Sequence, residues 1–214
     1  MFHTKKLSIL ILLAGSYVLF MSSFHIEENN DLVNKPVYSD NTKDNSSYHL
    51  TSEGTIIEWG SNVKLKYSDF QADKKRSPGF AVATTASAFG YRINDTGGEI
   101  SGSVFVVFYC NKSWWNRDYL LEEVLEHEQL HFDICELYGR KLYKEIIALR
   151  KSNRLSIKNI NKVYSKLDKQ YSNYQDKYDE DTDHSTNVDQ QRLWNKKVKK
   201  QLAAMSRYSN YYKF

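Results

Sequence analysis

The run His127-Glu128-Gln129-Leu130-His131 puts two imidazoles four residues apart, with a carboxylate beside the first. On a helix, residues four apart differ by about 40° in direction, so both rings can face one cation. Glu128 is turned about 100° from His127, off the ligand line but within reach of a water held by the same ion. Zinc suits such donors, and it lowers the pKa of a water it holds to about 7. A neighbouring carboxylate can then take the proton as the oxygen attacks a carbonyl, and pass it to the leaving amine. These five residues predict a Zn2+ site with His127 and His131 as ligands and Glu128 as the base, acting on a peptide or protein substrate. Two core histidines satisfied by carboxylates are the plainer alternative.

A catalytic zinc typically takes three side chains and leaves one position for water. Of the six histidines, His3, His25 and His49 fall in the N-terminal stretch, and His127 and His131 are used, which leaves His184. Among carboxylates, Glu136 is nearest, but it is rotated about 140° from His131 and points away. Asp181 and Asp183 flank His184 and fit better as groups that orient an imidazole. From the residues alone, an exposed histidine in an acidic loop competes with the ligand reading.

The elements that must hold these groups follow from periodicity. Leu121, Val124, His131, Ile134, Cys135, Tyr138, Leu142 and Ile146 recur at three- and four-residue steps, so the motif lies in one long amphipathic helix. A second stripe runs from Ile157 through Ile160, Tyr164, Leu167, Tyr171 and Tyr174 to Tyr178, an aromatic face that reads as core packing. A third helix carries Trp194, Val198, Leu202 and Met205, with a face rich in Lys and Arg that reads as solvated. Upstream, Ile56, Ile57 and Trp59, then Gly60-Ser61-Asn62, then Val63, Leu65 and Tyr67 look like a hairpin. Residues 80–93 and 103–110, on either side of Gly97-Gly98, read as strands. The expected class is α+β, a small antiparallel sheet followed by long helices.

The N-terminus differs from the rest. His3, Lys5 and Lys6 precede an apolar stretch over residues 7–20, which predicts export to the periplasm or the cell exterior. No clean small-x-small cleavage site follows, so a cleaved signal and a retained membrane anchor both stand. The predicted organisation is an export segment at 1–24, a polar tether at 25–54 and one catalytic domain at 55–214. The chain, 214 residues with net charge +4, is long enough for one core. Its charge is too mild to argue for nucleic acid, and no phosphate-binding loop is apparent. Cys110 and Cys135 allow one bridge in an exported chain, but read better as two small buried apolar residues.

The run from His127 to Glu136, H-E-Q-L-H-F-D-I-C-E, resembles the H-E-Q-x-H-F-D-I-x-E signature of a bacterial family of unknown function numbered 922, whose members are predicted zinc-dependent proteases. Leu65 to Phe70 is similar to that family's L-x-W-x-D-F segment, Ala83 to Ser87 to its strand of small and hydroxyl residues, and Ser113-Trp114 to its S-W. Tyr178-Asp179 with Thr182-Asp183-His184 resembles its Y-D-x-x-T-x-H element. Tyr67 stands for the usual Trp, Cys135 for the usual Ala and Ser185 for the Gly that commonly follows the last His. The resemblance implies a zincin-like fold and an exported enzyme, and it favours His184 as third ligand. Tyr178 is a candidate donor to the oxyanion, set against its place in the aromatic stripe.

A zinc peptidase would lay an extended substrate against an edge strand, for which residues 104–110 are the candidate. A non-catalytic envelope module that keeps its metal for structure is the contrasting class, and the intact Glu128 argues against it. A zinc amidase acting on cell-wall peptides would use the same residues.

Overall fold

The computed structural model describes residues 48–51, 54–73 and 81–214. The export segment and nearly all of the expected tether lie outside them. Six strands come first: β1 (Tyr48–Thr51), β2 (Gly54–Glu58), β3 (Ala83–Thr84), β4 (Ser87–Thr96), β5 (Glu99–Tyr109) and β6 (Trp114–Trp115). Three helices follow: α1 (Glu122–Lys151), α2 (Ile157–Thr182) and α3 (Val188–Ala204). Among the described residues, no helix is long and apolar enough to cross a membrane. The architecture is α+β, with antiparallel strands in the order β1-β2-β5-β4 and helices packed on one face.

The strands read on either side of Gly97-Gly98 pair as the β4–β5 hairpin, in continuous register from Ser87↔Phe108 to Thr96↔Glu99. Gly97 and Gly98 both take left-handed backbone (φ 64 and 90), which a two-residue turn matched to strand twist requires. The expected hairpin around Gly60 does not form. β2 pairs instead with β1 and β5, and the chain beyond it runs as a loop, closed by Val63 N donating to Gly60 O. The alternating Val63, Leu65 and Tyr67 pack against the core without pairing, and Leu65 N donates to Gln129 Oε1 on α1 (2.8 Å).

Two further differences concern edges. β1 lies inside the stretch read as tether, where an edge strand with no buried side chain leaves no apolar period to read. The strand read at 80–93 is split into β3 and β4, and Ser113 Oγ accepts from Ala86 N at the break. β5 is not an edge. Where β2 ends, the C-terminal residues take over its column: Val104 N donates to Tyr211 O, and Gly102 and Phe214 exchange both main-chain bonds. Residues 104–110 therefore have no free side on which to take a substrate.

α1 lays its apolar face on the sheet, burying Phe132, Ile134, Cys135, Leu142 and Ile146 completely. Each such aliphatic or aromatic side chain contributes about 1.5–3 kcal/mol relative to exposure. Helix and sheet meet most closely at Gly139, where an added Cβ would stand 2.3 Å from Val106 Cγ2. Ser156 caps α2 by accepting from Asn159 N, and Asn187 caps α3 by accepting from Gln190 N. The aromatic stripe of α2 is core, with Tyr171 and Tyr178 buried. α3 buries Gln191, Trp194 and Val198 and turns Arg192, Lys196, Lys197, Lys199 and Lys200 to solvent. Cys110 and Cys135 are buried and free.

Candidate metal centre

His127, Glu128 and His131 sit in the second and third turns of α1, facing α2 and α3. The Nε2 atoms of the two histidines are 3.1 Å apart. A third atom joins them from the last turn of α2. Asp179 Oδ1 stands 3.1 Å from His127 Nε2 and 2.9 Å from His131 Nε2. The three form a nearly equilateral triangle, and a point about 2 Å from every corner lies just off its plane, the distance zinc keeps from imidazole nitrogen and carboxylate oxygen. These side chains form the one cluster of metal-ligating type among the described residues.

Hydrogen bonds on the far side of each ring fix which nitrogen faces the triangle. Gln175 on α2 donates its amide to His131 O (3.1 Å), leaving Oε1 to accept from His131 Nδ1 (2.8 Å). Gln191 on α3 donates to Asn195 Oδ1 (2.9 Å) and presents Oε1 to His127 Nδ1 (3.1 Å). With both Nδ1 atoms protonated, both Nε2 atoms turn lone pairs toward Asp179. Three acceptors facing one point need a positive charge between them. Without a metal that charge is a proton: burial works against charging His131, yet the Asp179 carboxylate, with Glu128 behind it, raises its pKa to about 9. Burial pushes Asp179 upward too, but the two histidines hold it well below the ordinary carboxylate range.

Glu128 completes the set. It is buried, and its Oε2 makes no hydrogen bond, an arrangement that costs about 1–3 kcal/mol unless a function keeps it. Its main-chain O accepts from Thr85 Oγ1 (3.3 Å), which ties α1 to the link between β3 and β4. The donor set, the triangle and the unbonded carboxylate oxygen fit a cation of zinc's size and preference.

Two of the expected residues lie outside the triangle. Tyr178 lies beneath the histidines, stacked on His127 at 4.6 Å and edge-on to His131 at 4.8 Å. Its hydroxyl donates to His127 O (3.1 Å) and accepts from Gln191 Nε2 (2.7 Å), behind the His127 ring and away from the triangle. His184 is close but outside the triangle. Its Nδ1 is 4.0 Å from Asp179 Oδ1, and its side chain is 27% exposed where that of Asp179 is 8%. It sits in a turn of three left-handed residues, Asp183, His184 and Ser185 (φ 45, 50 and 80), with His184 N donating to Asp179 O. Ser185 thus holds a backbone conformation suited to glycine. Glu136 points away from the site, as its helix angle requires, while Asp181 binds Lys177 and Trp194.

Residues 111–185 match the model of a family described as bacterial protein of unknown function, DUF922. Over that stretch the chain is similar to the DUF922 family. The match spans β6, α1 and α2 and so includes His127, Glu128, His131, Asp179 and His184. Gln191 and the rest of α3 lie beyond the DUF922 match. No curated protein and no solved structure matches the chain.

Asp179, Gln175 and Gln191 were not among the expected site residues. The signal lay in α2, where Gln175 and Asp179 stand four apart, polar residues on the buried side of an otherwise apolar and aromatic helix face.

Proposed function

We propose that the chain is an exported, zincin-like hydrolase that cleaves peptide bonds with zinc held by His127, His131 and Asp179. The reading rests above all on the triangle of His127 Nε2, His131 Nε2 and Asp179 Oδ1, together with the buried, unbonded Oε2 of Glu128, next in sequence to His127. Zinc, when bound, supplies the Lewis acidity that makes water a nucleophile near neutral pH. Glu128 receives the proton of the attacking water and returns it to the leaving amine. Asp179 neutralises the cation in part, and Gln175 and Gln191 keep both rings turned inward. β3 is the candidate edge for an extended substrate in place of β5. It pairs with β6 on one side, and Thr85 joins its end to Glu128 O. Export is supported by Lys5, Lys6 and the apolar residues 7–20.

The test is metal analysis of the full chain together with cleavage of denatured casein and of cell-wall stem peptides. One zinc per chain with casein cleavage is expected. Cleavage of stem peptides alone would move the reading to a cell-wall amidase, and a chain that takes up no zinc would end it.

A further inference from the structure

The DUF922 match ends at Ser185, yet the nearest partner of His127 Nδ1 comes from α3. Gln191 is buried, and its Oε1 accepts from His127 Nδ1, while its amide nitrogen donates to the Tyr178 hydroxyl (2.7 Å) and to Asn195 Oδ1 (2.9 Å). Asn195 in turn donates to Glu126 Oε1 on α1 (2.5 Å). The polar seam between α1 and α3 therefore passes through the ring of a candidate ligand. α3 is also attached by its buried Trp194 and Val198, and by Arg140 Nη1 donating to Leu202 O.

We infer that Gln191 is a positioning residue of the metal centre, and that docking of α3 and binding of the cation strengthen each other. The inference rests on the zinc reading above and adds to it an element outside the family segment. A cation on Nε2 draws electron density from the imidazole, so Nδ1–H becomes a better donor to Gln191 Oε1. In the other direction, Gln191 holds His127 in the tautomer and ring orientation that turn its lone pair to the cation. Partners of this kind change metal affinity by about 10- to 100-fold when removed. Binding free energies are reciprocal, so bound cation should favour the docked α3 by the same factor.

The experiment uses the full chain, with Zn2+ as the probe. Zinc affinity is measured by competition with a chromophoric chelator for wild type, Gln191→Met and Gln191→Glu. Met fills the space without an acceptor, and Glu restores one. Amide exchange in α3 is followed in the wild type with and without Zn2+, which needs no substitution and so survives a variant that does not fold. Expected are a 10- to 100-fold weaker Kd for Gln191→Met, recovery in Gln191→Glu, and slower exchange across α3 when zinc is added. Wild type that binds zinc while α3 exchange stays unchanged, or Gln191→Met within twofold of wild type, overturns the coupling and leaves the zinc reading intact. Wild type that takes up no zinc overturns both.

Discussion

Helix α1 carries two buried polar clusters, one at His127 and His131 and another a turn further on at Glu136 and Arg140, and they differ in how their charges are met. At the second, the Glu136 oxygens accept from Arg140 Nε (2.7 Å) and the Tyr211 hydroxyl (2.6 Å). The guanidinium spends another arm on Leu202 O (2.8 Å) and lays its face over the Trp59 ring, 5.2 Å from the centroid. Donors and acceptors balance, and the cluster fastens the C-terminal segment and α3 to α1. At the first, three acceptors converge and a fourth, Glu128 Oε2, has no donor. Both are costly to bury. A buried network that closes on itself holds a fold together, whereas the converging acceptors at the first have the geometry to hold a cation.

The sharpest break between the two lies in turnover. Glu128→Gln should keep zinc and fold while lowering the cleavage rate by about 100- to 10,000-fold, because the amide cannot take the water's proton. A variant cleaving at near wild-type rate would remove Glu128 from the chemistry. Arg140→Ala should do the reverse. It leaves Glu136 buried without its ion partner and should cost about 3–5 kcal/mol in urea unfolding, with zinc content per folded chain unchanged. Loss of zinc from the folded variant would show the two clusters to be one.

Acidity separates them further. The folded pKa of Glu136 is raised from 4.5 to about 7, chiefly by burial, so its contribution to stability is present below pH 4.5 and lost as pH rises through 7. For His131 in the metal-free chain the pKa rises from 6.5 to about 9, so its contribution is present below pH 6.5 and lost as pH rises through 9. Each loss is on the order of 3 kcal/mol at about 1.4 kcal/mol per pKa unit. Unfolding measured from pH 4 to 10 with and without Zn2+ should show zinc abolishing the upper loss and sparing the lower one. The smallest effect is expected at His184. His184→Ala should weaken zinc binding less than about tenfold, as loss of a neighbour rather than a ligand. A loss as large as that of Asp179→Ala would restore His184 as a ligand.

Much of this was legible in the chain. The stripes from Leu121 to Ile146 and from Ile157 to Tyr178 are long enough for their period to dominate, and Gly97-Gly98 marks its turn without help from elsewhere. The loop after Trp59 carries a strand's alternation without being one, because alternation says only that every second side chain is buried. Val63 and Leu65 meet that demand by packing, not by pairing. The covering of β5 depends on Val104 meeting Tyr211, a contact between residues remote in sequence that no local pattern carries. Of the site, the two histidines and Glu128 were readable because one helix fixes their mutual angles. The third acceptor was not, since His184 follows the helix end in a left-handed turn whose direction cannot be extrapolated, while Asp179 keeps helical phase with Gln175.

Gly139 gives the first of these clusters a distant dependence. It lies eight residues past His131, about 12 Å along the axis, where the missing side chain makes room for the Val106 methyl. The contact works as an index notch. With Val106 seated in it, α1 can neither slide along the sheet nor roll upon it, and the height of Glu128 against Thr85 is set from three turns away by the absence of a single carbon.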